Sequence, residues 1–140
     1  MNKFYLASPY ASHLISKSAA ICDALRSLSR LRHLNPVIHV DEVAESDRCI
    51  WSPLIQGQVI LWNTDLRWSE KTALEWCLFN LETAGFDTLI ISTSPRRPGT
   101  TATGVDAEQA LACKLGYRIM SESEAENVTL SCTTISPRVV

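Results

Sequence analysis

The spacing of apolar residues changes repeatedly along the chain, and each change marks an element. Lys3 to Ser8 (KFYLAS) is a short, nearly continuous apolar run that stops at Ser8-Pro9, the pattern of a buried strand. From Ser12 the period lengthens. Leu14, Ser18, Ile21 or Cys22, Leu25, Leu28 and Leu31 recur every three to four residues, with Lys17, Arg26, Arg30 and Arg32 between them. This predicts an amphipathic helix of about five turns. Asn35-Pro36 breaks it, and Val37 to Val40 (VIHV) predicts a second strand. Residues 41–57 carry no clear period; with Pro53 among them they predict a loop holding one or two helical turns. Val59 to Trp62 (VILW) predicts another strand.

The second half is more regular. Ser69 to Gly85 predicts a helix with Leu74, Cys77 or Leu78, Leu81 and Ala84 along its apolar stripe, Ser69 as its cap and Gly85 as its stop. Phe86 to Ser92 (FDTLIIS) reads as a central strand, and Thr93 to Thr103 as a long polar loop. A helix follows from Thr103, with Asp106 three residues on as in a capping box, and Gly116 closes it. Tyr117 to Met120 is the last strand of the set, and the alternation from Val128 to Thr133 predicts an edge strand. Strands alternating with helices imply right-handed crossovers and a single doubly wound α/β domain, Rossmann-like or flavodoxin-like, with a mostly parallel sheet. Residues 1–135 form that domain and 136–140 a loose tail. In such sheets ligands sit beyond the carboxyl ends of the strands. Those ends carry Ser8, Pro9 and Tyr10, then His39 or Asp41, then the loop from Thr93 to Glu108.

Composition narrows the functions. At 46% hydrophobic and 20% charged, the chain has the make-up of a globular protein rather than a disordered one. A net charge of −2 supplies no general field for nucleic acid or anionic lipid, so neither is expected as a partner. No run approaches the roughly 18 apolar residues that span a bilayer, and the compartment expected is the cytoplasm. The five cysteines (Cys22, Cys49, Cys77, Cys113, Cys132) form no CxxC pair, which argues against a zinc site and a disulfide framework. The histidines have no metal spacing either, so no metal is predicted. Four tryptophans (Trp51, Trp62, Trp68, Trp76) fall in the middle third, where buried packing or a dimer interface is the commoner use.

Glu108 is the most informative residue. It shares a helical face with Leu111, Ala112 and Leu115, so an inward face begins with a carboxyl group. Placed near the helix start, where the dipole favours an anion, it is expected to be ionised and to suit a nucleophile or an electrostatic stabiliser. The plainer alternative is a carboxylate that caps its helix or answers Arg96 or Arg97. Glu75 is a rival acid at the start of the preceding helix; its neighbours Leu78, Phe79 and Glu82 make a less uniformly apolar face, and Glu108 is preferred.

Two separated motifs carry a resemblance. Tyr5-Leu6-Ala7-Ser8-Pro9-Tyr10 opens the chain. Later come Asp87 before the strand Thr88-Leu89-Ile90-Ile91, a polar loop, Gly104, Glu108 four residues on, and Leu115-Gly116 at the helix end. In this order and spacing the chain resembles the nucleoside 2-deoxyribosyltransferase and deoxynucleotide N-hydrolase superfamily, over both ends of the domain but not residues 41–85. The resemblance implies that Glu108 attacks C1′ of the sugar, with Tyr5 as its orienting neighbour and Asp87 as a helper. It also implies a dimer or larger homo-oligomer. Six residues before the glutamate, where transferases of that family carry Asp and the nucleotide hydrolases often Ser, this chain has Ala102. The acid that protonates a departing base is thus missing, which counts against transfer; Thr101 or Thr103 can supply a hydroxyl.

The expectation that results is an N-glycosidase acting on a nucleoside or its 5′-monophosphate, with no cofactor. Ser8, Pro9, Tyr10, Thr101, Thr103 and Gly104 would contact the ligand, and Arg96 and Arg97 its phosphate. The alternative is a nucleotide-binding protein without catalysis, a sensor or a sequestering protein on the same fold.

Overall fold

A computed structural model describes residues 2–11, 14–57, 70–93, 100–101 and 103–128. The five strands of its main sheet are all parallel. They are β1 (Lys3–Ala7), β3 (Pro36–Val37), β4 (Cys49–Trp51), β5 (Thr88–Ile91) and β7 (Arg118–Ser121), in the spatial order β3-β4-β1-β5-β7. A separate antiparallel pair joins β2 (Tyr10–Ala11) to β6 (Thr100–Thr101). Helices α1 (Leu14–Arg30), α3 (Pro53–Gln56) and α6 (Glu122–Glu126) cover one face of the main sheet. Helices α2 (Asp41–Glu45), α4 (Glu70–Thr83) and α5 (Thr103–Lys114) lie on the other. This is a single doubly wound α/β domain.

A parallel sheet needs cover on both faces, because its crossover helices leave neither in water. The period of two in β1 meets that need. Phe4 and Leu6 join Ala24, Leu28, Ile50, Ile90 and Met120 in one core; Tyr5 and Ala7 join Trp51, Leu81, Phe86, Leu89 and Ala112 in the other. The register confirms β1 as the central strand: Tyr5 stands beside Trp51 on one side and Leu89 on the other. From β1 the chain passes to the β3–β4 side, then returns across β1 to β5. Strand order therefore reverses where the carboxyl ends of β1 and β5 meet, the usual place for a crevice in open α/β sheets.

Several elements differ from the pattern-based expectations. Strand β4 falls in the stretch 41–57 read as a loop holding one or two helical turns; the turns are present as α2 and α3, and Pro53 starts the second of them. Ser52 caps α3, its hydroxyl accepting from the Ile55 N–H, and proline at the first helical position lacks only an N–H that would be unsatisfied anyway. The second strand is short, since the backbone bends after Val37. The polar loop is broken by β6. Residue 128 is outside any strand, α6 follows β7 directly, and the rest of the expected edge strand, like the tail, lies outside the described residues. So do the expected strand 59–62 and the Ser69 cap.

The inward face of α1 also differs. Ala20, Asp23, Ala24, Ser27 and Leu28 are buried, while Leu25 is half exposed. Small residues let the helix axis lie close to the sheet, and the larger Leu25 falls on the outer flank.

Asp87 lies at the amino end of the sheet. Its carboxylate accepts from the backbone N–H of Asn2 at 3.1 Å and of Lys3 at 3.3 Å, and from the Thr88 hydroxyl at 2.8 Å. Its own N–H donates to the Lys3 carbonyl at 3.0 Å. An acid just ahead of a parallel strand can only reach the end where strands begin, so Asp87 is far from the carboxyl-end crevice and is not part of a site with Glu108. Asp87→Ala should lower folding stability by about 1.5–3 kcal/mol, the range for hydrogen bonds to a charged group. Ligand binding should be unaffected, as urea titration and calorimetry on one preparation would establish.

Candidate functional site

Glu108 is the sixth residue of α5, in its second turn rather than its first. The helix packs against α4, β5 and β7, so this position faces the sheet. The side chain is 4% exposed. Tyr5, in the middle of β1 and fully buried, donates its hydroxyl hydrogen to Glu108 Oε2 in a short hydrogen bond. The thiol of Cys77 on α4 lies against the same hydroxyl. Three elements distant in sequence thus bring a carboxyl, a phenol and a thiol together under the helices.

Aromatic rings frame this cluster. Tyr5 meets Trp51 edge to face at 5.6 Å between centroids and Phe86 at 5.3 Å. Trp51 stacks on Phe86 at 5.7 Å and meets Trp76 at 5.6 Å. The Trp51 indole N–H is satisfied by the Ile38 carbonyl at 3.0 Å and Gln56 Oε1 at 2.8 Å. Contacts of this kind hold a ring in one orientation, and with it the Tyr5 hydroxyl.

The surroundings decide the charge state. Burial pushes the Glu108 carboxyl up to about 8, against a smaller lowering by the Tyr5 hydrogen bond. Burial thus favours the neutral acid, against the ionised carboxylate expected from a place at the helix start. The helix dipole acts over the first turn, and Glu108 lies beyond it. Tyr5 is raised well above its ordinary value, by burial first and then by Cys77 and Glu108. Burial and the charge of Glu108 raise the Cys77 thiol, against a lowering by Tyr5. All three groups hold their protons.

Ser8 and Pro9, at the carboxyl end of β1, are partly buried. The Ser8 hydroxyl oxygen is buried and, among the described residues, is the one such side-chain atom without a hydrogen-bond partner. Tyr10 and Thr101 come together as backbone partners in the β2–β6 ladder. Thr103 is the first residue of α5, and Gly104 follows it. A Cβ at Gly104 would make only an ordinary 3.8 Å contact with Leu74, so its surroundings do not demand glycine. Arg96 and Arg97 lie outside the described residues. Glu75 is exposed on α4, which leaves Glu108 as the buried acid of the pair. His39 is exposed at the end of β3.

Glu122 is a buried acid that the pattern reading missed. It is the first residue of α6, and burial is opposed by hydrogen bonds from Ser27, Arg30 and the Thr93 N–H and by the Arg30 charge, which together hold it below the usual carboxylate range. The signal was present: Ser121 and Glu124 form a complete capping box that marks the start of α6. Among the described residues, no cluster of His, Cys, Asp and Glu could hold a metal ion, and no helix is long and apolar enough to cross a membrane. Comparison with known protein families, with curated proteins and with solved structures finds no match.

The raised carboxyl has a stability signature. Between about pH 4.5 and 8 the unfolded chain ionises Glu108 while the folded chain keeps it protonated. The folded state then binds the extra proton, so this group makes stability fall as pH rises, with a slope approaching about 1.4 kcal/mol per pH unit. Glu108→Gln has no proton to lose. In denaturant titrations from pH 4.5 to 8.5, the variant should gain steadily on the wild type and the gap should level off above about pH 8. Parallel curves would mean that Glu108 is ionised throughout.

Proposed function

We propose that this domain is an N-glycosidase acting on a nucleoside or its 5′-monophosphate, with Glu108 as the nucleophile. The observation that carries the reading is the Tyr5–Glu108 hydrogen bond, an acid on an inward helix face held by a central-strand phenol. A carboxyl with little room to rotate presents its oxygen in a fixed direction, which favours attack on one carbon of a bound sugar. The Glu108 oxygen bonds to C1′ as the C1′–N bond breaks, and the base leaves with the bonding electrons and takes up a proton. Water then cleaves the glycosyl ester and restores the carboxylate. Cleavage by water fits Ala102 better than transfer does. Arg96 and Arg97 would meet the phosphate; Tyr10, Thr101, Thr103 and Gly104 would line the sugar and base, with Thr101 or Thr103 as a hydroxyl near the departing base.

The Ser8 hydroxyl supports a ligand at this place. A buried polar atom without a partner costs about 1–3 kcal/mol, and native structures keep few of them. At the end of β1 a ligand oxygen would satisfy it. Ser8→Ala should leave the free protein as stable as the wild type, or slightly more so, while ligand affinity falls about tenfold, the worth of one ordinary hydrogen bond. Unchanged affinity in calorimetry would remove Ser8 from the site.

The neutral resting state of Glu108 favours a second reading, a nucleotide-binding protein in which the protonated acid donates to the ligand and nothing is cleaved. One pH series on a panel of nucleosides and nucleotides separates the two. A nucleophile must first lose its proton, so kcat/KM should rise nearly tenfold per pH unit up to about 8 and then level off. Glu108→Gln should reduce base release by several orders of magnitude with little change in binding. A donor instead gives no free base at any pH, and its affinity weakens above about pH 8. Turnover that survives Glu108→Gln would exclude Glu108 as the nucleophile.

A further inference from the structure

The bond from Tyr5 to Glu108 satisfies only half of the buried phenol. A tyrosine hydroxyl has one hydrogen to donate and an oxygen that can also accept. The hydrogen goes to Glu108 Oε2, and the oxygen remains, on a side chain that no water reaches. Trp51 and Phe86 close on Tyr5 at 5.6 and 5.3 Å between ring centroids. Of these two rings only Trp51 carries an N–H, and it is already given to Ile38 and Gln56. The polar neighbour that remains, among the described residues, is the Cys77 thiol, which shares a hydrogen bond with the same hydroxyl.

Packing alone does not call for cysteine at this position. Cys77 and Leu81, one helical turn apart on α4, pack into the core that holds Tyr5, Trp51 and Phe86, and an alanine or valine would fill such a place. A thiol adds a weak donor on a small apolar group. Burial and the neighbouring Glu108 push its pKa well up, so the sulfur keeps its hydrogen. A thiolate there would instead compete with Glu108 for the Tyr5 hydrogen. With the sulfur as donor the bonds run in one direction, from Cys77 through Tyr5 to Glu108, and each link polarises the next. The order suits both forms of Glu108, because a neutral acid and a carboxylate each present an accepting oxygen.

We propose that Cys77 is a positioning residue: its S–H donates to the Tyr5 oxygen and thereby commits the Tyr5 hydrogen to Glu108. The proposal rests on the functional reading above for what Glu108 attacks, but the order of hydrogen bonds stands without it. Cys77 acts through Tyr5 and not on a reacting atom.

The titration of Glu108 reads this order directly. Tyr5 of β1 and Cys77 of α4 are the titratable groups that face it, and no charged side chain of β5 or β7 shifts it. Cys77→Val removes the donor, and Cys77→Ser keeps one. Carbon-13 NMR of the free protein follows the Glu108 carboxyl. Its midpoint should rise by about half a pH unit in Cys77→Val, the scale of a weakened hydrogen bond to the charged form, and stay at or below the wild-type value in Cys77→Ser. Combined with Tyr5→Phe, the two replacements should give the same midpoint, since the path through the phenol is gone. With a nucleoside 5′-monophosphate, kcat/KM on the acid side of the midpoint should fall about threefold in Cys77→Val and recover on the alkaline side, as a half-unit shift requires. Cys77→Ala replaces Cys77→Val if that variant folds poorly. A midpoint unmoved by loss of the thiol would overturn the proposal. So would a difference between Cys77→Val and Cys77→Ser that persists with Tyr5→Phe, because the sulfur would then act by local polarity alone. If no nucleotide is turned over, the titration still decides the order of bonds, and the failure falls on the functional reading.

Discussion

The arrangement depends on the complete burial of one strand on both of its faces. From Phe4 to Ala7 no side chain of β1 reaches water, and β4 and β5 hydrogen-bond along its two edges. A strand in that position has no neutral choice of polar residue: any hydroxyl it carries must find a partner inside the protein. Tyr5 is that residue, and Glu108 is its partner. The acid is therefore held by the same requirement that holds the sheet together. Its raised pKa follows from the same cause, since the burial that places it also removes the water that would stabilise its charge.

The two carboxyl groups at this end of the molecule show how environment separates similar side chains. Glu108 has a phenol and a thiol beside it and stays protonated; Glu122 has a guanidinium, a hydroxyl and a backbone N–H, and is stabilised as an anion. Both are buried, so exposure alone does not explain the difference. Hydrogen-bond donors aimed at the charged form do.

Much of this was legible in the residues. The apolar run KFYLAS predicts a buried strand, and the apolar neighbours of Glu108 turn that acid inward; the pairing of Tyr5 with Glu108 was expected only from the resemblance. The amino-end location of Asp87 was missed: the resemblance made it a helper of Glu108, although a residue just before a parallel strand cannot reach the end where that strand finishes. Other features were hidden for physical reasons. With three residues between Arg48 and Ser52, β4 is too short to show a period. The inward face of α1 carries Ala20, Ala24, Ser27 and even Asp23 beside Leu28, a mixture in which hydropathy shows no clear stripe. The charge state of Glu108 depends on how much protein covers it, and no local pattern reports that.

The division of side chains along β1 has a consequence for how such a protein can diverge. The sheet is a partition: among the described residues, the core holding Phe4, Leu6 and Ala24 shares no buried side chain with the one holding Tyr5 and Trp51. Volume lost on one side can be regained on that side without disturbing the other. Lineages descending from this chain could rebuild the apolar positions of the α1 face, leaving Ser27 and Arg30 on Glu122, and keep the acid–phenol pair in place. Drift around Tyr5 would have no such freedom, because the rings that orient the phenol touch one another directly. Variation among descendants should therefore be lopsided, permissive under α1 and confined beneath α4 and α5.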